Sequence, residues 1–190
     1  MSSYSIPDFS FSSSLNDLNV SLKTYLSAHP TVARLIVCAI VIHKSSHVLL
    51  VQRAATDGFP NCWECPGGGV DNDDETILHA LARELHEETG LVVNHVRALV
   101  DDKTEFKGRE GTWRKITFLV EVKASDTDEE DLEMPKVSLE PLEHQELVWA
   151  SEEEIECGRV GGKDIKFAYQ VQKETIKVAF GMAREGSGSG

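Results

Sequence analysis

Apolar positions along the chain fall into two periods, 3.6 and 2, and the switches between them mark out its elements. Leu15, Leu18, Leu22, Tyr25 and Leu26 share one face at helical spacing, with Ser14 and Asp17 as a capping pair and Pro30 as the stop. Arg34 to His43 (RLIVCAIVIH) is strand-sized and β-branched, so it predicts a buried strand. Ser45-Ser46 turns the chain into a second strand, His47 to Arg53, and the pair predicts a hairpin. Ala54 to Pro66 reads as a loop carrying Phe59, Pro60, Trp63 and Pro66, and it runs into Gly67-Gly68-Gly69.

The next periodic run predicts a helix from Asp74 to Thr89. Ile77, Leu78, Leu81 and Leu85 form its apolar stripe, Asp73 or Asp74 its cap, and Gly90 its stop. Val92 to Val100 and Trp113 to Val122 predict strands, joined by a polar connection from Asp101 to Gly111. Ser125 to Glu133 reads as a solvated acidic loop. A short strand at Leu147 to Trp149, a brief helix capped by Ser151, and a final helix from about Asp164 to Met182 complete the chain. In that helix Phe167, Val171, Ile176 and Phe180 are expected to point inward. Strands and helices alternate without a regular parallel repeat, so the fold class is α/β, with a mixed sheet covered by helices on both faces.

At 190 residues and 41% hydrophobic the chain can bury one core. The expected organisation is an N-terminal arm with a short helix over residues 1–30, one domain over 31–184, and a flexible Gly/Ser tail over 185–190. No apolar run approaches the roughly eighteen residues of a membrane span, and no basic-then-apolar leader opens the sequence. Cys38, Cys62, Cys65 and Cys157 do not make a disulfide framework, so a cytoplasmic location is expected. A net charge of −13 argues against a nucleic-acid polymer or an anionic membrane as partner. The same charge would repel a phosphorylated substrate unless bound divalent cations reverse the field locally.

The chemistry concentrates behind the glycines. Glu84, Glu87 and Glu88 stand at i, i+3 and i+4, so on a helix all three project from one face. Like charges so spaced repel, and a hard divalent cation with oxygen ligands relieves the repulsion. Mg²⁺ is the expected ion, with Mn²⁺ as its substitute. Arg83, four residues before Glu87, is poised to orient a carboxylate, and the glycines give backbone access to the helix start. Arg53 is a candidate phosphate clamp, and Phe59, Trp63 and Trp113 are candidates for an aromatic platform. Glu143 and Glu146 are candidates for a further carboxylate brought by a later loop. Cys62-Trp63-Glu64-Cys65 is a lone CxxC that lacks the second pair a zinc site needs, and the glycine triplet lacks the Lys-Ser/Thr of a P-loop.

Gly69, five residues, Glu75, seven residues, Arg83-Glu84-Leu85, one residue, Glu87-Glu88, one residue, Gly90-Leu91 resembles the Nudix box with every defining position filled. The resemblance implies an α/β/α sandwich with a mixed sheet and a diphosphohydrolase that uses a metal-activated water on a nucleoside di- or triphosphate or another nucleoside diphosphate derivative. It implies Glu84, Glu87, Glu88 and the Gly69 carbonyl as metal ligands. It further implies Glu84 as the base, with Arg83 and Glu75 orienting the cluster. Two alternatives stand beside it: a hydrolase or isomerase of a non-nucleotide diphosphate such as an isoprenyl diphosphate, with Cys62 or Cys65 as suspects, and a non-catalytic module that binds a diphosphate ligand. Neither the substrate nor the oligomeric state is encoded in the box.

Overall fold

The computed structural model of the chain describes residues 6–44, 46–56, 58–123 and 134–186. The acidic stretch expected as a solvated loop, residues 125–133, lies wholly outside them. Nine strands and four α-helices follow one another among the described residues. Strand β1 (Ser10–Phe11), a 3-10 helix (Ser13–Leu18) and α1 (Leu22–Ala28) lead into β2 (Val32–His43) and β3 (His47–Arg53). Then come β4 (Trp63–Glu64), α2 (Ile77–Thr89), β5 (Val93–Gly108), β6 (Gly111–Val122) and β7 (His144–Ser151). The chain ends with α3 (Glu152–Cys157), the small β8 (Arg159–Val160) and β9 (Lys163–Asp164) hairpin, and α4 (Gln172–Gly186).

The larger sheet runs β1-β5-β6-β2-β3-β4, with β7 on the other side of β3. β2 and β6 are parallel, while β5 with β6 and β3 with β7 are antiparallel, so the sheet is mixed. The alternation of β2 divides the core. Leu35, Val37, Ala39 and Val41 face one way, into a cluster with Ile77, Leu78, Leu81 and Leu85 of α2. Cys38 and Ile40 face the other way, toward Ile176, Ala179 and Phe180 of α4. Each fully buried side chain of this kind contributes roughly 1.5–3 kcal/mol. The result is the α/β/α sandwich expected from the sequence.

Several boundaries differ from the sequence reading. The polar stretch after Val100 is a strand, because β5 continues to Gly108 and pairs with β6 down to Gly108↔Gly111. It reads as a loop because none of its residues is fully buried, most are polar, and register shifts break its alternation. α2 starts at Thr76, whose hydroxyl accepts the His79 N–H, instead of at Asp73 or Asp74. α4 begins only at Gln172; Phe167 lies before it, bridged to Trp63, and Val171 is exposed. The N-terminal residues are drawn into the core: β1 pairs in parallel with β5, and Leu15, Leu22 and Tyr25 are buried against the main cluster.

Candidate active site

The loop before α2 is welded to β2. The Val37 N–H donates to the Gly68 carbonyl at 2.9 Å and the Ala39 N–H to the Pro66 carbonyl at 2.8 Å. This contact needs glycine. At Gly67, φ is +149°, and a Cβ would lie 2.2 Å from the Val37 oxygen. A Cβ on Gly68 would lie 2.4 Å from Glu84 Oε2, so the helix carboxylates come right up to the bare backbone.

Arg83 is the hub. Its Nε and Nη2 donate to Asp74 Oδ1 and Oδ2, both at 2.8 Å, and Nη2 also donates to the Gly69 carbonyl at 3.0 Å. Nη1 donates to Glu84 at 2.8 Å and to Glu87 at 2.9 Å. One guanidinium therefore ties the pre-helix loop to two carboxylates of the helix face. Asp74 is its main anchor, a role that sequence reasoning missed by treating Asp74 only as a cap. Glu75 stands outside this knot: its side chain is 80% exposed and lies 3.7 Å from His79.

Glu88 points inward and accepts the Gly67 N–H at 2.8 Å. Burial drives its carboxyl well above the usual carboxylate range, against the pull of that hydrogen bond, and Glu64, Glu84 and Glu143 add repulsion. Burial likewise pushes Glu84 up to about 7, opposed by Arg83 and reinforced by Glu87 and Glu143. At Glu84 burial outweighs the Arg83 cation, so one guanidinium does not offset this crowd of carboxylates. A hard divalent cation fits that donor set of oxygens, and the Gly69 carbonyl keeps a second lone pair beside the one Arg83 uses.

Glu143 arrives from the far side of the chain. The Ser138 N–H donates to the Thr89 carbonyl at 2.8 Å and the Glu140 N–H to the Glu88 carbonyl at 3.2 Å, so the segment before β7 is strapped across the end of α2. Ligand atoms of Glu88, Glu143 and His144 lie within 4.8 Å of one another. Of the two later carboxylates considered from sequence, Glu143 is therefore at the cluster, whereas Glu146 pairs with Lys163.

Arg53 Nη1 donates to Glu64 Oε1 at 2.5 Å and Nε to the Gly58 carbonyl, so the guanidinium expected to clamp phosphate holds the Phe59 loop to β4. Trp63 is 3% exposed within the core beneath α4, which leaves its ring no open face for a ligand and corrects the platform reading for this residue. Phe59 is 56% exposed and begins a run of tilted rings. Its centroid lies 5.8 Å from Tyr169; Phe106 lies 5.3 Å from Tyr169 and 5.8 Å from Trp113. Lys115 Nζ sits 4.7 Å from the centre of Tyr169, and Arg34 lies over Trp113. Phe106 and Tyr169 carried no local signal in the sequence. Cys62 and Cys65 are both buried.

A family model for the NUDIX domain matches residues 32–170. The chain belongs to the Nudix family. It is 31% identical over 121 residues to the CTP pyrophosphohydrolase of Escherichia coli (strain K12), a match covering 62% of this chain and 76% of that protein. The solution structure of the E. coli ORF135 protein is similar to 85% of this chain over 98% of its own length, with a TM-score of 0.58 at 23% identity. The crystal structure of a MutT NUDIX hydrolase from Burkholderia pseudomallei gives a TM-score of 0.56 at 20% identity, covering 75% of this chain and 97% of that one. This Nudix chain is a diphosphohydrolase, with the box running from the loop before α2, along the helix, to Gly90 and Leu91 just past its end. Among the described residues, no helix is long and apolar enough to cross a membrane.

Proposed function

We propose that the protein hydrolyses a diphosphate bond in a nucleoside di- or triphosphate, or in a related nucleoside diphosphate derivative, with Mg²⁺ held by Glu84, Glu87, Glu88 and the Gly69 carbonyl. The observation that carries this reading is the approach of Glu84 and Glu88 to the backbone of Gly68 and Gly67, with Glu87 tied to Glu84 through Arg83 and the two inner carboxyls displaced upward by burial. Bound there, the ion would neutralise the diphosphate and lower the pKa of a water. Glu84 would serve as the base for that water, and Arg83 fixes its orientation through the 2.8 Å bond. Asp74 keeps Arg83 in register, and Glu75 adds negative charge at the helix start, where it also favours the dipole.

The exposed ring of Phe59, at the head of the run with Tyr169, Phe106 and Trp113, supports a flat aromatic substrate group such as a nucleobase. The activity named for the E. coli relative, on CTP, points the same way. The test is a panel assayed with Mg²⁺ and with Mn²⁺: nucleoside triphosphates including oxidised ones, nucleotide sugars, dinucleoside polyphosphates, dinucleotides and isoprenyl diphosphates. Release of phosphate or diphosphate from at least one nucleotide, abolished by a chelator, is expected. Turnover confined to the isoprenyl compounds would overturn the substrate class, and turnover that survives the chelator would overturn the role of the metal.

A further inference from the structure

His144 opens β7, opposite Arg53 of β3, and is 2% exposed. Its Nε2 lies 3.5 Å from Glu64 Oε1, the same oxygen that accepts from Arg53 Nη1. An ionised carboxylate only accepts hydrogen bonds, so the imidazole proton belongs on Nε2 and Nδ1 keeps its lone pair. Nδ1 is buried and, among the described residues, has no hydrogen-bond partner. A histidine that merely fills a core usually has both nitrogens satisfied or wet, and here Nδ1 is neither. One of its nitrogens also falls within 4.8 Å of carboxylate oxygens of Glu88 and Glu143. A buried histidine beside two glutamates, with one nitrogen held by a third carboxylate and the other unpartnered, suits a metal ligand with its orienting partner.

We propose that His144 joins Glu88 and Glu143 in a mixed nitrogen–oxygen cation site that takes a transition-metal ion (Mn²⁺, Co²⁺ or Zn²⁺) in preference to Mg²⁺. Imidazole is a borderline donor that suits such ions, whereas Mg²⁺ keeps to oxygen and water. Glu64 and Arg53 are positioning residues for this ligand: Arg53 anchors Glu64, and Glu64 fixes the ring. Glu88 faces both this group and the other box carboxylates, so the inference rests on the metal-dependent reading above.

The test uses the full chain, with Mn²⁺ as the probe, and reads pulsed electron paramagnetic resonance, which detects a coordinated nitrogen without any turnover. A ¹⁴N coupling that changes to ¹⁵N when histidine is isotopically labelled, and that disappears in His144→Gln, is expected. Glutamine keeps an N–H near the position of Nε2 for Glu64 and removes the ring nitrogen. Calorimetry should show Co²⁺ affinity falling about tenfold or more in this variant, the scale on which ligand-shell changes act, with a smaller change for Mg²⁺. The labelled wild-type protein answers the question even if the variant fails to fold. Bound Mn²⁺ without a histidine nitrogen, or with one that survives His144→Gln, overturns the role of His144 and leaves the diphosphohydrolase intact. Failure to bind Mn²⁺ at all overturns both the inference and the metal-dependent reading beneath it.

Discussion

Arg83 and Asp74 meet in a two-pronged ion pair, Nε to Oδ1 and Nη2 to Oδ2, each at 2.8 Å, across nine residues of chain. This fork, more than the box glutamates, fixes the guanidinium from which Glu84 and Glu87 hang. Asp74→Asn should cost about 1.5–3 kcal/mol of stability, the scale of a charged hydrogen-bonding partner, as read by urea unfolding. It should also lower kcat more than it raises KM, because the catalytic carboxylate loses its orientation. Wild-type unfolding and kinetics together would remove Asp74 from the site.

The two glycines before the box should fail in different ways. Gly67→Ala drives a Cβ into the β2 backbone at a φ that L-residues avoid, with no flexible atom to give way. A loss of roughly 1–3 kcal/mol or more is expected in thermal unfolding. Gly68→Ala meets only the tip of Glu84, so stability should hold while kcat falls. Equal destabilisation by both substitutions would contradict this division.

Glu84→Gln and Glu88→Gln should each lose at least about 3 kcal/mol of transition-state stabilisation, the scale of one strong electrostatic contributor. Steady-state kinetics on the best nucleotide of the panel gives the measurement. Near-wild-type turnover in both variants would show that the chemistry lies elsewhere.

Stability of the metal-free protein should rise on mild acidification. The Glu84 carboxyl goes from an ordinary 4.5 to about 7 on folding, so between these values the folded state binds more protons than the unfolded one. Stability therefore falls as pH rises through this window, and lowering pH from about 7 to 5 in chelator should recover on the order of 2 kcal/mol. Divalent cation should flatten the slope, and so should Glu84→Gln. A melting temperature that drops over the same interval in chelator would mean that Glu84 is not desolvated.

The box glutamates were legible because helical spacing is local: Glu84, Glu87 and Glu88 needed only a helix to share a face. The β2–β3 hairpin was equally plain, with Ile42↔Val48 and His43↔His47 in register. Asp74, Glu64 and His144 were not legible as site residues, because what distinguishes them is contact across the fold. Asp74 also looks like a helix cap, and Thr76 takes that place. Trp63 illustrates the opposite error, since an aromatic near a catalytic loop is drawn into the core when a helix closes over it. The long β5 was half hidden for a related reason: polar residues on an outward-facing strand carry no apolar period.

The parallel pairing of β2 with β6 bears on how the molecule comes into being. Val37 lies opposite Ile116, and α2 with all its glutamates belongs to the intervening chain. Closing so long a loop carries its entropic cost before the contact repays it, which makes this pairing a slow, late event. A nascent chain ending at Leu91 would hold every residue of the box without β6 to brace β2 or the strap that brings Glu143. Catalytic competence should therefore emerge only once β6 has docked and the strap before β7 has closed on α2, and not gradually as the box is synthesised.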